Sequence, residues 1–210
     1  QIRYTKGGFS VALENPETTL VGSTSSDRGA LPDLTLRYGW KGEWGTFGVG
    51  ALARQLKVDR PGYDDSSFSG GLTVGGKWLM GSNDTLHYQL TGGEGIARYI
   101  GLGITGDGVL DASDGSLDTT GVLAGYVGWR HAFSPKLRSN VIFARSDYDN
   151  DAALTGPLAT KSVQSLRANV FYSPLPKVDV GAELMFGKRE VESGAEGDIT
   201  RVQFTTKYSF

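Results

Sequence analysis

Cysteine is absent from the chain, and methionine and histidine occur only twice each. Without a thiol there is no disulfide framework, no structural thiolate zinc site and no cysteine nucleophile. With only His87 and His131 present, a histidine-based acid-base centre has few possible positions. No apolar run approaches the roughly eighteen residues that a membrane-spanning helix needs, and hydrophobic residues make up 39% of the sequence. A membrane protein built of helices is thereby excluded. An excess of one charge is also lacking, the formal net charge being −2. Basic residues stand singly along alternating segments and build no external patch, which argues against a nucleic-acid partner.

What the chain has in quantity is glycine, with 31 residues, and aromatic rings, with 9 Tyr, 9 Phe and 4 Trp. That bias favours strands over helices. The closing stretch TRVQFTTKYSF shows the pattern. Val202, Phe204, Tyr208 and Phe210 share one parity, with Thr206 among them, and Arg201, Gln203, Thr205, Lys207 and Ser209 share the other. This is the period-two alternation of a strand with two unlike faces. Eleven such segments can be read: QIRYTK, GFSVALE, DLTLRYGWK, EWGTFGVGALARQL, SFSGGLTVGGKWLM, DTLHYQLTGGEGIARYI, TGVLAGYVGWRHAF, KLRSNVIFARS, SVQSLRANVFY, KVDVGAELMFGKRE and DITRVQFTTKYSF. Many exceed the usual soluble strand of about five or six residues and suit a tilted bilayer span.

Connections alternate between tight turns, at Gly7-Gly8, Gly42, Gly81 to Asp84, Pro135 and Pro174 to Pro176, and polar loops. The loops run from Asn15 to Pro32, Asp59 to Ser67, Gly101 to Thr119, Asp147 to Lys161 and Glu190 to Gly197. Short and long ends in strict alternation indicate an all-β, transmembrane antiparallel up-and-down β-barrel with short periplasmic turns and longer external loops. A soluble sandwich would mix the two kinds and would have to bury its aromatics. Here Tyr38, Trp40, Trp44, Trp78, Phe133, Tyr172, Tyr208 and Phe210 gather near strand ends, as in a membrane girdle. The acidic stretch DGVLDASDGSLD lacks the terminal Glu of the twelve-residue calcium loop and lies between strands, so it reads as a solvated loop. No metal or cofactor is expected.

A lipid-facing Arg or Lys near the midplane costs roughly 2–4 kcal/mol, so the basic parity must face a wet interior. On that parity stand Arg3, Arg37, Arg54, Lys77, Arg98, Arg130, Arg167 and Arg201, with Lys207, against few acids, chiefly Glu14 and Glu183. In KLRSNVIFARS the alternation leaves open which side Arg138 and Arg145 take. The surplus of inward positive charge would draw in anions. The first and last strands both run toward the short-turn side, so the strand count is odd, whereas antiparallel closure needs an even number. The chain begins QIRYTKGG, with no initiator Met and no signal-peptide pattern. Either a signal was removed or the sequence starts inside a longer protein; given the odd strand count, residues 1–210 are expected to form one β-barrel domain whose N-terminal strands are missing.

The segments QIRYTKGGFSVALENPET and GGEGIARYIG, with the terminal Tyr208-Ser209-Phe210, make the chain similar to the DcaP-like porins of Gram-negative outer membranes. The resemblance implies a homotrimer of sixteen-stranded barrels in the bacterial cell outer membrane that admits small anionic solutes such as dicarboxylates. It also implies contact with outer-membrane lipid and lipopolysaccharide. Tyr208 and Phe210 would be the signal read by the barrel-assembly machinery, and Gly48, Val49 and Ala51 are candidates for the trimer contact. Alternatives are a non-conducting anchor or adhesin and an outer-membrane enzyme. For the enzyme there is no G-x-S-x-G elbow, His87 has lumenal parity, and His131 sits among Trp129 and Phe133 like an interfacial residue. No catalytic residue is therefore assigned.

Overall fold

The computed structural model describes residues 1–23, 26–27, 29–101 and 103–210. Its main sheet contains eleven strands, each antiparallel to the next in chain order. They are β1 (Ile2–Lys6), β2 (Phe9–Glu14), β3 (Asp33–Gly42), β4 (Gly45–Arg60), β5 (Tyr63–Met80) and β6 (Asp84–Glu94). There follow β7 (Gly121–Ser134), β8 (Leu137–Asp149), β9 (Thr160–Leu175), β10 (Val178–Val191) and β11 (Glu196–Tyr208). Two one-turn helices, α1 (Ala97–Ile100) and α2 (Ala152–Thr155), lie in loops. β1 and β11 are the two edges of an open, curved wall and do not pair with each other.

The register assigns every side chain to a face, because directly paired residues point the same way. On β5 the outward set is Phe68, Gly70, Leu72, Val74, Gly76 and Trp78, opposite Val49, Ala51 and Ala53 of β4 and Leu86, Tyr88 and Leu90 of β6. From Phe68 to Trp78 the strand rises about 33 Å at about 3.3 Å per residue. Tilted by about 45°, it spans roughly 23 Å, close to the apolar band of an outer-membrane barrel. Nearly all the large exposed hydrophobic side chains of the strands lie on this outward face. The lower border is aromatic. Tyr38 and Trp40 meet edge to face at 4.6 Å between centroids, and Trp40 stacks on Phe47 at 5.6 Å.

The upper border is ionic. Immediately above the band the same outward parity carries Lys57 with Asp59 and Asp64, Arg145 with Asp147, and Lys188 with Glu196, each cation ion-paired. Arg145 is thus outward, beyond the apolar band, while Arg138 is inward and bidentate to Asp179 at 3.2 and 3.0 Å. No bulge interrupts the central part of β8 that separates them; the register shift lies at Ala132 and Ser134 of β7.

Three sequence expectations are corrected. The stretch Asp59 to Ser67 is no loop: β4 and β5 continue to Arg60 and Tyr63 and turn at Pro61-Gly62, where Gly62 has φ of +89°. The hairpin stands because its inner side is covered, Leu56 and Val58 packing with Leu20 and Leu117 of the loops. Strand β6 ends at Glu94, so GIARYI leaves the wall. Gly48, proposed as an outward contact residue, pairs with Gly39 and Gly75 on the inward parity; only Val49 and Ala51 face out. The acidic stretch forms a short hairpin, Gly108–Leu110 against Leu117–Thr119, and no carboxylate group suited to a metal occurs among the described residues.

Leu72→Arg, in the middle of the outward band, should lower unfolding stability in lipid vesicles by about 2–4 kcal/mol. Thr73→Arg, one residue along and facing in, should change it by no more than about 0.5 kcal/mol. Equal losses in urea titrations would contradict the assigned faces.

Candidate functional site: the inward wall and the loop seated on it

The inward face is where the chain concentrates polar chemistry, and one loop is folded against it. At Gly95 the backbone takes φ of +62° and swings from β6 toward the concave side. A Cβ there would lie 2.5 Å from Ser69 Oγ and 2.7 Å from Leu56 Cδ1, so only glycine fits the corner. The next residues, Ile96 and Ala97, bury themselves against Val122, Ala124 and Tyr148, with Leu52 and Ile100 alongside. Glycine prepares the seat as well: a Cβ on Gly71 would meet Ile96 Cδ1 at 2.8 Å.

A buried guanidinium holds the loop in place. The side chains of Arg54, Asp33 and Asp107 all have 0% exposure; Arg54 Nε lies 3.3 Å from Asp33 Oδ2, and Nη1 lies 3.1 Å from Asp107 Oδ1. Arg54 also donates to the Gly95 carbonyl at 2.8 Å and, through Nη2, to the Glu17 carbonyl. Asp107 in turn accepts from the Arg98 amide at 3.0 Å and from the Thr19 hydroxyl at 2.9 Å. Tyr99 donates its hydroxyl to Asp33 at 2.8 Å, with the guanidinium carbons of Arg54 and Arg98 at 5.4 and 5.3 Å from its ring centroid. Burial and the Asp33 carboxylate push the Tyr99 hydroxyl well above the ordinary tyrosine value, so it remains a donor. One arginine therefore ties together strands β3 and β4 and the loops on either side.

Between α1 and the wall is a recess of about 320 Å³ whose lining includes Arg3, Arg37, Thr73, Gln89, Thr91 and Tyr99. Below it the wall carries a continuous cross-strand row: Lys41, Thr46, Lys77, His87, Gly128, Ile142, Arg167, Met185 and Arg201. The row holds several basic groups and no carboxylate. Because strands tilt by about 40° and lie about 4.8 Å apart, a row perpendicular to them climbs about 3 Å per strand. The cations thus form a rising spiral rather than a level ring. One row further toward the short turns, Arg130 pairs in register with Asn140, then Asn169 and Glu183. Asn140 donates to Asn169 at 2.7 Å, and Asn169 donates to Glu183 at 3.2 Å.

Of the residues that sequence parity assigned to the interior, Arg3, Arg37, Lys77, Arg130, Arg167 and Arg201 stand on the inward face, none in a salt bridge with a described residue. Arg54 does not line the open space: its parity is inward, but the loop covers it completely. Arg98 is on α1 rather than on a strand, and it pairs with Glu17 at 3.4 Å. Arg189 was missed. It has the parity of Glu183 and lines the inner wall beside Thr160, to which it donates at 3.0 Å; counting by twos from Glu183 would have found it. Tyr208 closes β11 on the outward parity, opposite Val178, and Phe210 lies beyond the strand.

An apolar outer band, a wet and basic inner wall, and a loop seated against the wall define the fold as that of a porin-type β-barrel of the outer membrane. The chain belongs to the DcaP outer membrane protein family, whose sequence model it matches over residues 2–210. Two solved structures share the fold. The outer membrane channel DcaP of Acinetobacter baumannii superposes with a TM-score of 0.86 at 23% identity, covering 99% of this chain and 61% of that one. An anion-selective porin from Comamonas acidovorans superposes with a TM-score of 0.62 at 11% identity, covering 99% of this chain and 57% of that one. The chain therefore spans less than two thirds of either protein. No curated protein matched the sequence.

Arg54→Met would leave the buried carboxylates of Asp33 and Asp107 without their cation, a loss of about 3–5 kcal/mol for a broken buried pair. Hydrogen exchange should accelerate across residues 95–107 while β4 and β5 within the band stay protected. Unchanged exchange in that segment would show that the apolar seat alone holds the loop.

Proposed function

We propose that this wall lines a channel for passive diffusion of small anionic solutes, dicarboxylates among them, and that the channel works as a homotrimer. The observation that carries the reading is the spiral of Lys77, Arg167 and Arg201, flanked by Arg3, Arg37 and Arg130, all inward and all without a carboxylate partner among the described residues. Acids on the same face are largely engaged: Asp179 by Arg138, Glu183 by Asn169, and Glu14 by the Gln1 amide at 2.9 Å. Guanidinium groups bind carboxylates bidentately, and a series of shallow sites lets a solute pass on instead of staying bound. A dicarboxylate can hold one step of the spiral while reaching for the next. The anion-selective porin among the structural neighbours is consistent with this chemistry, and outward Val49 and Ala51 remain candidates for the contact between protomers.

In the intact protein in planar bilayers, replacing Arg167 and Arg201 together by Gln should lower the anion-to-cation permeability ratio severalfold. The difference should shrink at 1 M salt, where screening acts within about 3 Å. A ratio unchanged by the double substitution would contradict the reading, and absence of any conductance in the parent protein would favour a non-conducting anchor.

A further inference from the structure

At its lower end the outward face carries a polar cluster that channel conduction does not use. At the lower, aromatic border, Asp84, the first residue of β6, pairs in register with His131 of β7, which pairs in turn with Ser139 of β8. This places a carboxylate, an imidazole and a hydroxyl in one row on the lipid-facing parity. Trp129 Nε1 donates to Asp84 Oδ1 at 2.7 Å, and His131 Nδ1 lies 2.8 Å from the same oxygen. His131 is flanked by the Trp129 ring at 5.7 Å and the Phe133 ring at 4.6 Å. An ionised carboxylate only accepts, so the His131 proton sits on Nδ1 and Nε2 of the neutral ring is an acceptor. No described residue donates to Asp84 Oδ2. The Asp84 and His131 side chains keep 29% and 28% exposure at the aromatic border beside the short turns, the end of a barrel that faces the periplasmic leaflet.

An acid, imidazole and serine in line invite a hydrolase reading, which the backbone rejects. Strands β6, β7 and β8 are paired through Asp84, His131 and Ser139, the register shift falling beyond them between Ala132 and Ser134, so the amides beside the cluster are committed to the ladder and none converges as an oxyanion hole. Two outward acceptors beside aromatic rings instead form a receptor for a cation that carries hydrogen-bond donors. Periplasmic-leaflet lipids offer such a group in the primary ammonium of an ethanolamine headgroup. We propose that Asp84 Oδ2 and His131 Nε2, set between Trp129 and Phe133, bind the ammonium of phosphatidylethanolamine at the periplasmic border of the barrel, with the Ser139 hydroxyl available to its phosphate. Phosphatidylcholine has the charge but no N–H, and phosphatidylglycerol has no cation. The site should therefore rank ethanolamine above both.

The test is native mass spectrometry of the intact protein released at pH 7.5 from nanodiscs holding equal phosphatidylethanolamine, phosphatidylcholine and phosphatidylglycerol. The parent protein should retain the ethanolamine lipid at least fivefold over each of the others, and Asp84→Asn should bring it down to the choline level. His131→Phe, which keeps the ring and removes the acceptor, should give the same loss and serves if Asp84→Asn does not fold. Unchanged heat-modifiable migration on gels certifies an intact barrel. Equal retention of the three lipids, a preference for phosphatidylglycerol, or an ethanolamine preference surviving in the folded variants would overturn the proposal.

Discussion

A chain that crosses hydrocarbon must satisfy every backbone amide and carbonyl within the protein, because lipid offers no partner. A sheet does so strand by strand, and it fixes a second property at once: successive side chains point to opposite sides. The bilayer on one side and water on the other therefore sort the residues two by two. Leu72 and Val74 could not exchange places with Thr73 without moving apolar groups into water and a hydroxyl into lipid, and a register slip of one residue would reverse a whole strand. The aromatic lower border, the ionic upper border and the basic inner wall all follow from that single alternation.

The loop after β6 obeys a different rule. Beyond the apolar band the solvent no longer sorts side chains, and the chain holds itself by burial and charge. Glycine corners at Gly71 and Gly95 allow Ile96 to press onto the wall, and Arg54 sits fully covered between Asp33 and Asp107. Two carboxylates against one buried guanidinium would be costly in isolation. They are supported by the Tyr99 hydroxyl and by amide and hydroxyl donors from Arg98 and Thr19. The result narrows the inner space on one side and leaves Arg37, Arg130 and Arg167 exposed on the rest of it.

The strands and their facing were legible in the sequence because period two is a local signal. All eleven segments form strands, and parity alone places Arg37, Arg130, Arg167 and Arg201 on the inward face. What sequence could not show was set by contacts distant along the chain. Arg54 shares the inward parity and is nonetheless buried, because its partner Asp107 lies in a loop more than fifty residues later. GIARYI alternates too weakly to mark the end of β6, and the cause of its departure, a positive φ at Gly95, has no signature beyond glycine itself. The hairpin at Pro61-Gly62 looked like a polar loop because its apolar support, Leu20 and Leu117, comes from elsewhere. Residues 24, 25, 28 and 102, within two of the loops read from sequence, lie outside the described residues.

The absence of cysteine from these 210 residues makes the central claim, that alternation separates a lipid face from an aqueous face, directly measurable in this chain. Single cysteines placed one at a time from Phe68 to Trp78 in the membrane-embedded protein can be challenged with charged, membrane-impermeant thiol reagents. The account predicts labelling at Thr73, Gly75 and Lys77 and protection both at the outward positions and at Ser69 and Gly71, which the loop covers, with a negatively charged reagent reacting faster than a positive one of the same size. Uniform labelling along the strand, or faster reaction with the cationic reagent, would contradict it.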